Sequence, residues 1–220
     1  MGVVLLAMTI GGLIIAAILL TFSYFTKKIW LRTFVLGGVF VWFASYAILL
    51  FVGSFFSEEK TLALNEPKEF CGFYLDCHLH AAVSDVRKTK TIGDKTASGE
   101  FYIVKVKVSS DAKQATLHLI ETNAEAFDEG GRIYSRDLEA EKFLPTADVS
   151  LNRDVAANAS FEKEIVFDIS EPAKSVRLLV TEGYGIDHAI EAILIGDEDS
   201  IGHRRNYFNL EQQTQTSSVK

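Results

Sequence analysis

The chain has 220 residues, 48% of them hydrophobic and 23% charged, with a net charge of −7 and a mean hydropathy of +0.16. These averages combine two unlike parts: residues 1–57 hold three basic residues and no acidic one, which leaves 19 basic against 29 acidic, net −10, in residues 58–220. An acidic domain with no basic stripe argues against a nucleic-acid partner, and a stretch of that length suffices for one cored domain.

The two uncharged runs, Met1 to Thr26 and Thr33 to Ser57, each exceed the roughly 20 apolar residues that cross a hydrocarbon core about 30 Å thick. They predict a transmembrane helical hairpin over 1–57, with helices at about 3–26 and 33–56 and a tight turn between them. Aromatic residues gather at its ends (Phe22, Tyr24, Phe25, Trp30, then Phe55 and Phe56), where rings sit at headgroup level. A cleaved signal peptide is the rival reading. It needs a basic segment before the apolar one, and no Lys or Arg precedes position 27. Lys27, Lys28 and Arg32 in the turn favour a cytoplasmic turn and both termini outside, in a multi-pass protein of the cytoplasmic membrane. Neither predicted helix carries Asp, Glu, Lys, Arg or His, so transport by the hairpin alone is not expected. Gly12 with Ala16, and Gly37-Gly38, are small enough to seat the helices against each other or against a partner's helices.

Residues 58–70 are polar, contain Pro67 and lack periodicity, as a linker does. Residues 71–210 then read as a string of strands: alternation over 73–83, again over Phe101–Val108, and further runs at Thr116–Glu121, Phe161–Ile169, Ser175–Thr181 and Tyr207–Leu210. This pattern predicts an antiparallel β-sandwich with one wet face per sheet. Between the strands, Thr89–Gly99 is expected as an exposed loop and Asp128-Glu129-Gly130-Gly131 as a hairpin turn. Ser135–Phe143 has helix formers for one or two turns, and Gly185–Ile195 combines helical spacing with a possible buried strand and is taken as a short helix. Residues 211–220 form a polar tail.

The segments Glu100–Val108 (EFYIVKVKV), the strand LHLIE, Ser160–Ser170 (SFEKEIVFDIS) and the following SVRLLV resemble the uncharacterised bacterial extracytoplasmic immunoglobulin-like sandwich domains, which occur lipid-anchored or membrane-tethered. The resemblance spans about residues 73–210. The usual Gly ahead of the late strand pair is here Asn158. The resemblance implies an all-β immunoglobulin-like antiparallel sandwich, preceded here by the two-helix transmembrane hairpin, at the cell surface, with no catalytic motif to carry over. The antibody-type pattern of distant cysteines packed on a Trp is absent: Trp30 and Trp42 both precede the domain.

Cys71 and Cys77 are the only cysteines, and outside the cytoplasm such a pair is most simply a disulfide. His78 and His80 fall on one strand face, where two imidazoles could grip copper or zinc, but two histidines leave a tetrahedral site half empty. Solvated surface histidines are the plainer reading. Asp197-Glu198-Asp199, with Asp187 nearby, lacks the glycine and closing Glu of a calcium loop. Asn158-Ala159-Ser160 fits a glycosylation sequon. No nucleophile elbow, Ser-x-x-Lys pair, zinc-protease helix or phosphate loop occurs. The expectation is a membrane-anchored, non-catalytic interaction domain of the bacterial envelope without a cofactor, its partner an unknown membrane or envelope protein. The alternative is a copper, zinc or redox module built on Cys71, Cys77, His78 and His80.

Overall fold

The computed structural model of the chain describes residues 2–70, 77–183 and 186–211. It divides into two compact units. One comprises residues 1–58 together with 186–204; the other comprises 59–185 and 205–220.

The first unit is built on helices α1 (Gly2–Phe25) and α2 (Ile29–Phe55). At 24 and 27 residues they are about 36 and 40 Å long, more than a hydrocarbon core of about 30 Å requires. By length and composition both can cross a membrane. The second begins four residues earlier than expected, so the turn is shorter than the basic cluster: Lys28 caps α2 and Arg32 lies within it. Several polar groups of the helices bond within the hairpin. Trp42 Nε1 donates to Thr9 Oγ1 (3.0 Å), which itself donates to the Leu5 carbonyl (2.8 Å). Ala16 is buried, but a Cβ added at Gly12, Gly37 or Gly38 would meet nothing within 4 Å. Those glycines therefore do not hold the two helices together.

The second unit is a sandwich of two sheets among the described residues. Its strands are β1 (Thr61–Leu62), β2 (Lys68–Phe70), β3 (Leu79–Ile92), β4 (Lys95–Ser110), β5 (Asn123–Phe127), β6 (Ile133–Tyr134), β7 (Ser160–Ile169), β8 (Arg177–Thr181) and β9 (Tyr207–Asn209). One sheet has the order β1-β9-β8-β5-β6 and the other β2-β3-β4-β7. All pairings are antiparallel except β1 with β9, which is parallel. Residues 58–70, expected as a linker, thus supply an edge strand to each sheet. Strands of two and three residues are too short for alternation to announce them.

The inner faces supply the main core: Val83, Val104, Val106 and Val108 from β3 and β4, Ile165 and Phe167 from β7, Leu178 from β8 and Phe208 from β9. The expectation of a wet outer face fails on the β4–β7 side. There α3 (Leu138–Glu141) and the residues after it lay Ala140 and Leu144 over Ile92, Phe101, Ile103 and Val166. Asp137 starts this turn of helix by accepting a hydrogen bond from the Ala140 amide (2.9 Å), as an N-cap residue should.

Thr89–Gly99, expected as a loop, is instead the end of a long hairpin. Ile92 pairs with Lys95 around Gly93-Asp94, and β-branched threonines extend the strands where no apolar residue marked them. Gly93 has φ +59°, and a Cβ there would lie 2.4 Å from the Phe143 ring. Gly93→Ala is expected to cost about 1–2 kcal/mol for the left-handed backbone alone, and more once the ring must move. A lower urea midpoint with an unchanged slope would register this. The 128–131 turn is as predicted: the Asp128 carboxylate accepts from the Gly130 and Arg132 amides (both 2.9 Å), and Gly131 has φ +76°. Asn158 adopts φ +55°, a left-handed conformation that asparagine tolerates better than most residues. Thr116–Glu121, expected as a strand, makes only a single bridge, Leu117 with Val155.

Candidate functional site

Three constellations of polar groups stand out. The first joins the predicted histidines to a residue the sequence did not single out. β3 carries His80, His78 precedes it, and Asp111 follows the end of β4. The Asp111 carboxylate meets His78 Nδ1 at 2.5 Å and His80 Nε2 at 3.5 Å. The strand pairing His80 with Ser109 creates this meeting, and the 33-residue separation of His78 from Asp111 hid it from a local reading. The hydrogen bond from His78 holds the Asp111 carboxyl below the ordinary carboxylate range. A lowered acid pKa stabilises the fold above that range, and the contribution fades as the pH falls through the lowered value. Asp111→Asn is accordingly expected to flatten the acid side of the thermal-midpoint profile, read by melts across the acid range. Among the described residues no group of three or more His, Cys, Asp or Glu is arranged to hold a metal ion. The two predicted imidazoles share the Asp111 carboxylate. Cys71 lies outside the described residues, and with it the Cys71–Cys77 pairing; Cys77 itself is half-buried.

The second constellation is buried on the outer side of β7. Glu141 accepts from Arg136 Nε at Oε1 (2.8 Å) and from Nη2 at Oε2 (2.5 Å), and Lys163 Nζ lies 3.5 Å from the same Oε2. Lys163 also donates to the Thr146 carbonyl (2.8 Å), while Glu141 accepts from the Val166 amide (3.3 Å). The Asp137 amide donates to the Val166 carbonyl (2.8 Å). Together these groups close the free edge of β7. At the other edge β2 is three residues long, and the edges β1 and β6 have two residues each. Short and covered edges are the usual protection against strand addition.

The third constellation belongs to the helical unit. The connection between β8 and β9 carries an insert, residues 186–204, that begins with α4 (Ile186–Glu191). The short helix expected in 185–195 is present. The insert rests on both long helices: Tyr46 Oη donates to the Ile193 carbonyl (2.7 Å), and the Ser54 and Ser200 hydroxyls lie 3.5 Å apart. The Arg204 amide donates to Ser57 Oγ (2.8 Å). At Gly2 the backbones nearly touch, since a Cβ there would lie 2.6 Å from the Ile195 carbonyl oxygen. A side chain at position 2 would push the insert away. The acidic turn lies in this insert: Asp197 accepts from the Asp199 amide (2.9 Å), and burial pushes its carboxyl up. The side chains of Asp187 and His188 lie outside the described residues.

Lys27, Lys28 and Arg32 stay together at the turn of the hairpin. His118 pairs with Asp154 at 3.2 Å and His203 Nδ1 lies 2.8 Å from the Arg204 carbonyl; neither joins the His78–His80 cluster.

Comparison with known proteins adds the following. A search of curated proteins finds no match to this chain. Solved structures similar to it include MPT63, a secreted protein of Mycobacterium tuberculosis (13% identity, 69% of this chain and 98% of that one, TM-score 0.44). Others are the yjhA protein of Bacillus subtilis (14%, 67% and 98%, 0.42) and an uncharacterised β-sandwich protein of Clostridium difficile 630 (12%, 70% and 97%, 0.37). At these TM-scores the sandwich assignment rests on the chain's own two sheets. A family profile described as "Domain of unknown function (DUF4352)" matches residues 76–190, from the approach to β3 into α4. The match covers more than half of the chain, which therefore belongs to the DUF4352 family.

Proposed function

We propose that this chain is a membrane-anchored, extracytoplasmic and non-catalytic interaction protein, multi-pass through the hairpin, with both termini outside and an immunoglobulin-like sandwich as its displayed part. The observation that carries the anchor is the seat of the insert. Gly2 at the start of α1 and Tyr46, Ser54 and Ser57 in or just after α2 all contact it. A cleaved leader would remove the close backbone approach at Gly2 from that seat, so the contacts favour a retained α1. The basic turn supports a cytoplasmic position for Lys27, Lys28 and Arg32. An oxidising exterior in turn fits a disulfide between Cys71 and Cys77. The blunted strand edges favour recognition through loops over strand addition, and the partner is an envelope or membrane protein that shares the bilayer plane.

The test is proteolysis of spheroplasts combined with mass spectrometry of the N-terminus. Protease added outside is expected to digest residues 58–220, while the α1 peptide is recovered from the untreated mature protein. Protection of the sandwich overturns the orientation, and loss of the α1 peptide overturns the hairpin.

A further inference from the structure

We infer that the insert 186–204 is a lipid-contacting element that lies in the outer headgroup zone of the bilayer and presents Ile193 and Ile201 to phospholipid. The inference rests on the membrane-anchor reading and adds a lipid surface to the sandwich's own sequence. Depth comes from the contacts. Tyr46 stands nine residues before the end of α2, about 13 Å down its axis at 1.5 Å per residue. Its hydroxyl nonetheless donates to the Ile193 carbonyl. Ser200 meets Ser54 in the last turn of α2, and a Cβ at Gly202 would lie 3.7 Å from Ser54. The insert therefore runs along the outer part of the span, not beyond its end.

Its side chains divide accordingly. Leu194 and Ser200 are buried, while Ile193 and Ile201 are 40% and 54% exposed. The segment that carries them packs on α2 through Tyr46 and Ser54, and the exposed large side chains at this end of the helix and just after it are apolar: Phe51, Val52, Phe55 and Phe56. If lipid covers these, exposed isoleucines on a segment bonded to Tyr46 and lying against Ser54 stand at the same depth and meet the same lipid. The hydrogen bonds to Tyr46 and Ser57 satisfy backbone groups that the headgroup zone would otherwise leave to water. Apolar side chains entering the headgroup and acyl boundary from a polar backbone segment are how interfacial elements bind a membrane.

The test is tryptophan quenching in the full chain, reconstituted into phosphatidylcholine–phosphatidylglycerol liposomes. Trp30 and Trp42 are the only tryptophans; both are replaced by Phe, and one reporter is introduced at a time: Ile201→Trp, Ile193→Trp or, as a mid-span control, Phe40→Trp. Circular dichroism identical to the parent secures the fold of each variant. The expected result is quenching of the position-201 and position-193 reporters by lipids brominated near the glycerol end, several-fold stronger than by iodide in the water. The position-40 reporter responds to lipids brominated deep in the chain. Iodide quenching at both 201 and 193 with lipid quenching at 40 overturns the inference and leaves the anchor standing. Iodide quenching at all three positions overturns the anchor and the inference with it.

Discussion

Glu141→Ala is expected to lower the stability of the sandwich by about 3–5 kcal/mol, the usual cost of removing one partner from a buried ion cluster. Glu141 and Lys163 are 4% and 2% exposed. Removing the carboxylate leaves the ammonium and the Arg136 guanidinium with too few acceptors, and the Val166 amide loses its partner at the same time. Lys163 keeps its bonds to the Thr146 and Ala147 carbonyls, which limits the loss. Glu141→Gln keeps the shape and one acceptor, so a smaller loss is expected. Urea unfolding of the full chain in detergent measures both. A Glu141→Ala variant as stable as the parent would mean that the cluster contributes nothing to the fold. The same variant opens the edge of β7, so increased self-association should accompany the lost stability.

The second large effect is expected at Phe167, one of the largest fully buried side chains. Phe167→Ala removes a ring from the inter-sheet core and leaves a cavity, at a cost of about 3–5 kcal/mol. Against a typical domain stability of about 5–15 kcal/mol, that is roughly a fifth of the total or more. Phe167→Leu fills most of the space and should lose much less. The pair separates cavity cost from any special role of the ring. Phe167 and Val166 are neighbours on opposite faces of β7: Phe167 belongs to the main core and Val166 to the smaller cluster under α3. Glu141 bonds the Val166 amide, so Glu141→Ala and Phe167→Ala are close enough to couple, and their double variant should depart from additivity.

The legible parts of the chain were those whose information is local. Phe101–Val108 alternates, and β4 is there; Phe161–Ile169 repeats apolar residues, and β7 is there. The Asp137 cap and the helix formers after it mark α3 within its short segment. The missed parts are those where the partner is distant. Lys68 in β2 reads as a linker lysine, yet it is buried with Nζ donating to the Val180 carbonyl (2.8 Å), so it bridges the two sheets. Thr89, Thr91 and Thr96 carry no apolar signal, and only their register across the Gly93 turn makes them strand. Asp111 belongs with His78 and His80 only because β3 and β4 pair in that register.

By itself, the sequence determined the two apolar helices, the acidic sandwich after them and the basic turn. Charge segregation and period-two alternation are properties of neighbouring residues and survive in a linear reading. Only the tertiary structure decided that residues 186–204 leave the sandwich and pack on the hairpin. The helical spacing of the insert marks an apolar stripe but does not say which surface it covers. That choice was made by the close backbone approach at Gly2 and by the hydroxyls of Tyr46, Ser54 and Ser57, all of them more than 130 residues away in the chain. Burial and hydrogen bonding across such separations are decided by the packed whole, because a segment finds its partner only when the intervening chain has folded.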